Sequence, residues 1–107
     1  MKTLKFREKL SQIILQGNKT TTWRLFDDKN LATGDIVSFL VWETKSEFAQ
    51  AKLVTVRETT LGKLTEADWD GHEKFKNNQE MYDTYSRYYQ RPVDEHSPVK
   101  IIKFELL

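Results

Sequence analysis

Residues 17–24 read Gly17-Asn18-Lys19-Thr20-Thr21-Thr22-Trp23-Arg24, and the interpretation of the whole chain turns on this stretch. Gly17-Asn18 is a pair suited to ending a helix, whereas a threonine run with a tryptophan suits the pleated, half-buried surface of a strand. The backbone is therefore expected to pass here from helix to strand, with an amine, hydroxyls and a guanidinium presented together at the junction. In a regular strand Thr20, Thr22 and Arg24 share one face, and Lys19, Thr21 and Trp23 the other. Lys19 can join Thr22 only if residues 19–20 are still turning or bulged.

Upstream, Phe6, Leu10, Ile13 and Ile14 recur at helical spacing, with Arg7, Glu8, Lys9, Ser11 and Gln12 on the opposite side. This predicts an amphipathic helix ending at Gly17, after a short lead-in or strand over Thr3–Phe6. Downstream, Thr20–Leu25 reads as a strand, Asp27–Asp35 as a polar loop turning at Gly34-Asp35, and Ile36–Trp42 as a strand apolar on both faces. Such a strand is expected in a closed or covered sheet, with Trp42 buried in it. A polar hairpin at Glu43–Glu47 leads into an antiparallel return over Phe48–Glu58, after which Glu58–Lys63 crosses the barrel rim.

Thr65 with Asp68 three residues on has the form of a helix N-cap, and a second helix starts at Asn77 or Asn78 and stops at Arg91-Pro92. Met81, Tyr85 and Tyr88 form one stripe on that helix, with Tyr82 and Tyr89 beside it. Val99–Leu107 closes the chain as a strand. The expected architecture is α+β: one domain over 1–107, built as a small, mostly antiparallel barrel with flanking helices.

Composition narrows the chemistry. With 38% hydrophobic and 31% charged residues, the chain reads as globular and soluble, and the absence of cysteine excludes disulfides and thiolate chemistry. A cytoplasmic setting is expected, without export or membrane insertion. The longest apolar run, Ile36–Trp42, includes Ser38 and falls far short of the roughly 20 residues that span a bilayer. Charge is uneven: residues 1–24 hold six lysines and arginines against one acidic residue, and residues 25–107 eleven against fifteen. A local basic region attracts phosphate; a solvated helix face with lysines is the simpler reading. Two histidines without a metal-binding spacing, no nucleophile-elbow motif and no glycine-rich phosphate loop leave no metal or cofactor expected.

The order helix, Gly-x-Lys-Thr-x-Thr-x-Arg, then Gly-Asp before an apolar strand resembles the ASCH family, the activating-signal-cointegrator homology domains of the PUA-like superfamily. Gly17, Lys19, Thr20, Thr22, Arg24 and Gly34-Asp35 carry the resemblance, and the element order extends it over nearly the whole chain. It implies a PUA-like barrel that binds RNA or a modified nucleoside, a monomer being expected. Some small bacterial ASCH proteins are metal-free amidohydrolases of acetylated cytidine, working with a lysine, a threonine and a glutamate. By that resemblance the catalytic set falls on Lys19, Thr22 and Glu73, with His72 taking the glutamate's place if the register shifts by one. Lys19 would accept the proton of Thr22 as it attacks, and Glu73 would assist departure of the amine.

Thr20, Arg24 and Trp69 complete the expected site as substrate contacts, with Tyr88 or Tyr89 the other aromatic residues expected near a ligand. Simpler roles stand beside these. Lys19 could cap the preceding helix, the threonines could serve strand propensity, Arg24 could pair with Asp27 or Asp28, and Glu73 could be a solvated helix residue. Binding alone, amide hydrolysis and a protein-interaction module are thus the three functional readings.

Overall fold

The computed structural model describes residues 1–107. Strand β1 (Lys2–Phe6) leads into helix α1 (Glu8–Leu15); β2 (Thr21–Leu25), β3 (Ile36–Val41) and β4 (Glu47–Thr60) follow. A 3₁₀ turn at Leu61–Lys63 precedes the short helix α2 (Glu66–Trp69), helix α3 (Asn78–Tyr89) and strand β5 (Pro98–Leu106). The strands form one curled sheet in the order β1-β3-β4-β5-β2; β1 pairs with β3 in parallel and the other pairings are antiparallel. This is the mostly antiparallel α+β architecture with flanking helices expected from the sequence, its barrel formed as a curled half-barrel, and no helix in it is long and apolar enough to cross a membrane.

Local signals explain the element ends. Asn18 N–H reaches Ile13 O and Gly17 N–H reaches Ile14 O, a Schellman closure of α1 that uses the left-handed Gly17 at φ 82°. Thr65 and Asp68 form a capping box at α2, and the Asn77 side chain accepts the Glu80 N–H at the start of α3. Phe6, expected in the α1 stripe, belongs to β1 instead, because its strand pairing with Val41 takes it before the helix begins.

The apolar residues divide into two cores on opposite sides of β5. Ile102 and Phe104 face the barrel interior with Phe6, Val37, Phe39 and Leu53. Val99 and Ile101 face outward, where Trp23, Leu25, Leu61 and Met81 bring α3 down onto the sheet. The doubly covered strand is therefore β5. Helix packing does not extend over the outer side of β3, so Ile36 is exposed and Trp42, expected to be buried, is 40% exposed beyond the end of β3.

The two edge strands, β1 and β2, do not pair with each other. Side chains bridge their seam: Arg24 Nη2 donates to Lys5 O at 2.8 Å and Lys29 Nζ donates to Thr3 O at 2.6 Å. The Arg24 guanidinium also lies 4.7 Å from the Phe6 ring centroid. Arg24 therefore joins the edges rather than pairing with an aspartate. Asp27 is bound by Lys100 at 2.7 Å.

Candidate functional site

A cavity of about 290 Å³ opens over the β1–β2 seam. Lys5, Phe6 and Arg7 border one side; Lys19, Thr22 and Arg24 form the wall contributed by the glycine-threonine stretch. Phe75 and the α3 residues Tyr85, Tyr88 and Tyr89 supply an aromatic wall, and Glu73, Leu10, Trp23 and Thr84 complete the lining.

Lys19 stands just before β2, in the turning segment that the strand pattern requires if it is to share a wall with Thr22. Its residue is 3% exposed, and its Nζ donates to Thr21 O at 2.8 Å and to Glu73 Oε2 at 2.5 Å. A helix-capping role is excluded by these partners. An ammonium has three donors, so one N–H remains for a ligand. Burial holds the Lys19 ammonium below its ordinary pKa, reinforced by Arg24 and opposed by Glu73. Burial pushes the Glu73 carboxyl upward, but attraction and hydrogen bonding from Lys19 outweigh it and leave the carboxyl below its usual value.

The acid reaches Lys19 because residues 66–73 are clamped onto the start of β2. Gly71 O accepts from both Thr20 N–H at 2.9 Å and Thr21 N–H at 3.1 Å, and Thr21 Oγ1 donates to Asp70 O at 2.6 Å. Trp23 Nε1 donates to Asp68 O at 3.1 Å, while the Asp68 side chain caps α2 and pairs with Arg57. His72 stacks on Trp23 with ring centroids 3.8 Å apart and an interplanar angle of 13°. Its Nδ1 lies 2.6 Å from Glu73 O, so the neutral ring carries its proton there. Burial and the Lys19 charge lower the His72 pKa to about 4.

His72 is consequently a neutral structural element under Glu73, and Glu73 is the acid that touches Lys19. Lys19, Thr22, Arg24 and Glu73 are brought together at one cavity. Thr20 and Trp69 are not among its lining residues. Thr20 is exposed and borders a separate groove with Gly17 and Phe104. Trp69 packs edge-on against Trp23, at 4.6 Å, and against Phe75, at 6.2 Å, so its ring is used in the outer core.

Tyr85, on the helical stripe with Met81, also lines the cavity. Burial raises its phenol well above the ordinary tyrosine pKa, which keeps the hydroxyl neutral. Tyr89 ties α3 to the edge strand by accepting the Leu25 N–H at 3.2 Å. Phe75 was missed altogether. Its place between two short helices carries no periodic signal, and only its apolar character in a polar run, GHEKFKNN, marks it.

No protein-family model and no curated protein matches the chain. Solved structures do. Protein EF3133 from Enterococcus faecalis, of family DUF984, aligns with a TM-score of 0.75 at 15% identity over 100% of this chain and 76% of its own. The hypothetical protein PH0355 aligns at 0.70 with 23% identity over 100% of both chains. An ASCH domain from Lactobacillus crispatus aligns at 0.69 with 12% identity, over 98% of this chain and 79% of its own. With its half-barrel, its flanking helices and these neighbours, the chain has an ASCH-like fold.

Proposed function

We propose that the cavity binds a modified nucleoside, free or as one nucleotide splayed out of an RNA strand. The observation that carries this reading is the Lys19–Glu73 pair, placed among aromatic side chains in a cavity of about 290 Å³. That volume sits at the lower end of the roughly 300–1,000 Å³ typical of small-ligand sites. It suits one base with its sugar, and an oligonucleotide would have to offer a single unstacked residue. The remaining Lys19 N–H is suited to a base carbonyl and Glu73 to an exocyclic amine, with Arg24 contributing further donors. Phe75, Tyr85 and Tyr89 offer faces and edges for a planar ring.

The experiment is calorimetric titration of the protein with cytidine, 4-acetylcytidine and a short single-stranded RNA at low salt, beside Lys19→Ala. Saturable binding of one of these, weakened at least tenfold by the substitution, is the expected result. No binding of any of the three would overturn the reading.

A second reading, amide hydrolysis on an acylated nucleoside, is favoured by the 2.5 Å contact within the Lys19–Glu73 pair. Moving one proton from ammonium to carboxylate leaves the net charge unchanged and yields a neutral lysine and a carboxylic acid together. Burial works toward this neutral form, against the Lys19–Glu73 attraction that holds the resting pair ionised. The neutral lysine accepts the Thr22 proton as its Oγ bonds to the acyl carbon; Glu73 protonates the amine nitrogen as the carbon–nitrogen bond breaks. Water then hydrolyses the threonyl ester and releases the acid. Loss of 4-acetylcytidine followed by chromatography tests it; turnover equal in wild type, Lys19→Ala and Thr22→Ala would reject it.

A further inference from the structure

Outside the cavity, one surface feature has no structural explanation in the cores. Trp42 is 40% exposed in the turn after β3, yet its backbone is fixed, with its N–H donating to Phe6 O at 2.7 Å. Three cations lie over the ring: Lys45 Nζ at 4.0 Å, Lys5 Nζ at 5.5 Å and the Arg7 guanidinium at 5.6 Å from its centroid. Lys5 and Arg7 also border the cavity. The aromatic surface is continuous as well. Tyr88, 43% exposed, lies 6.3 Å from Trp42 and 5.2 Å from Tyr89, and both tyrosines line the cavity.

We propose that Trp42 and its ring of cations form a platform for the nucleotide adjoining the one in the cavity, so that the ligand is a residue within a single strand. This rests on the nucleoside reading of the cavity and goes beyond it by naming a second subsite. An indole face accepts any base by stacking; Lys45 Nζ, 4.0 Å from the ring centroid, has to swing off that face for a base to enter, and it then stands with Lys5 and Arg7 beside the phosphodiester that links the two nucleotides. Two carboxylates stand beside the group: Glu43 accepts the Glu8 N–H and lies 4.0 Å from Arg7, and Glu8 borders the same surface groove. Lys5 and Lys45 have no carboxylate partner, so the patch has a net positive charge at the cavity mouth.

The test compares 4-acetylcytidine with the two dinucleoside monophosphates that carry adenosine on its 5′ or its 3′ side, titrated into the full chain. One dinucleotide is expected to bind at least tenfold more tightly than the nucleoside, with an affinity that falls as salt rises whereas that of the uncharged nucleoside does not. Trp42→Ala removes the increment and leaves nucleoside binding unchanged; Lys45→Ala, at an exposed turn position, lowers it and flattens the salt slope. Dinucleotides that bind no more tightly than the nucleoside, or an increment that survives both substitutions, overturn the proposal. Trp42-dependent dinucleotide binding without any nucleoside binding would support the platform and reject the cavity reading. Absence of binding by all three ligands would overturn both.

Discussion

Gly71 and Thr20 approach so closely that no side chain fits between them: a Cβ on Gly71 would lie 2.1 Å from Thr20 Oγ1. Gly71 also has φ 78°, and its carbonyl receives two N–H groups from the start of β2. The contact sets the depth at which residues 66–73 dock, and therefore whether Glu73 reaches Lys19. Gly71→Ala is expected to lower stability by about 1–3 kcal/mol through strain and displaced hydrogen bonds, and to abolish ligand binding. Gly34→Ala is the control: its φ is 91° with nothing within 4 Å of the added carbon, so it should cost about 1 kcal/mol and leave binding intact. Urea denaturation and ligand titration of both variants check this.

The buried histidine makes stability depend on pH. His72 titrates near 6.5 in the unfolded chain and at about 4 in the fold, so the unfolded state binds more protons between those values. Stability therefore falls as pH drops from about 6.5 towards 4, by about 3 kcal/mol once both states are protonated. The contribution of Glu73, whose folded pKa is depressed, is lost only at lower pH, as protonation passes through that value. His72→Phe should keep a ring against Trp23 and flatten the stability profile in the 4–6.5 window. Chemical denaturation at several pH values measures it.

Arg24 closes the barrel seam that no backbone pairing closes. Arg24→Ala removes the bond to Lys5 O and the contact over Phe6, and is expected to cost about 1–3 kcal/mol. The specific signature is faster amide exchange in β1 and β2, while the paired β4–β5 ladder stays protected. Hydrogen exchange read residue by residue distinguishes this from uniform destabilisation.

Glu73 holds up the Lys19 pKa against burial and Arg24. With Glu73→Gln the opposing charge is gone, and the Lys19 ammonium is expected to titrate at lower pH than in the wild type. Nitrogen-15 NMR of the lysine side chains follows this directly; an unchanged Lys19 titration would show that the pair does not control the amine.

The elements that could be read from sequence are those whose signal is local. Gly17 ends α1, Thr65 and Asp68 cap α2, and Asn77 caps α3, each through partners within five residues. The alternation in 99–104 likewise marked a strand with two apolar faces. Spacing alone could not say which strand the helices cover, and so Trp42 was expected in the interior. The same limit applies to the site. Lys19, Thr22 and Arg24 stand together in the chain, but Glu73 meets Lys19 across 54 residues. Its selection over His72 followed from a resemblance, while the physical reason, the docking of Gly71 on Thr20 and of His72 on Trp23, is purely tertiary. Trp69 reads in sequence like a stacking residue because exposure and core burial leave the same letter.

Ligand binding in the cavity is tested most directly by a proton–carbon NMR titration of the aromatic side chains with 4-acetylcytidine, in the wild type and in Lys19→Ala. Saturable shifts centred on Phe75, Tyr85 and Tyr89 are expected, lost in the variant although its fold is retained. Shifts confined to rings away from the cavity, or the same saturation with and without the Lys19 amine, would contradict it.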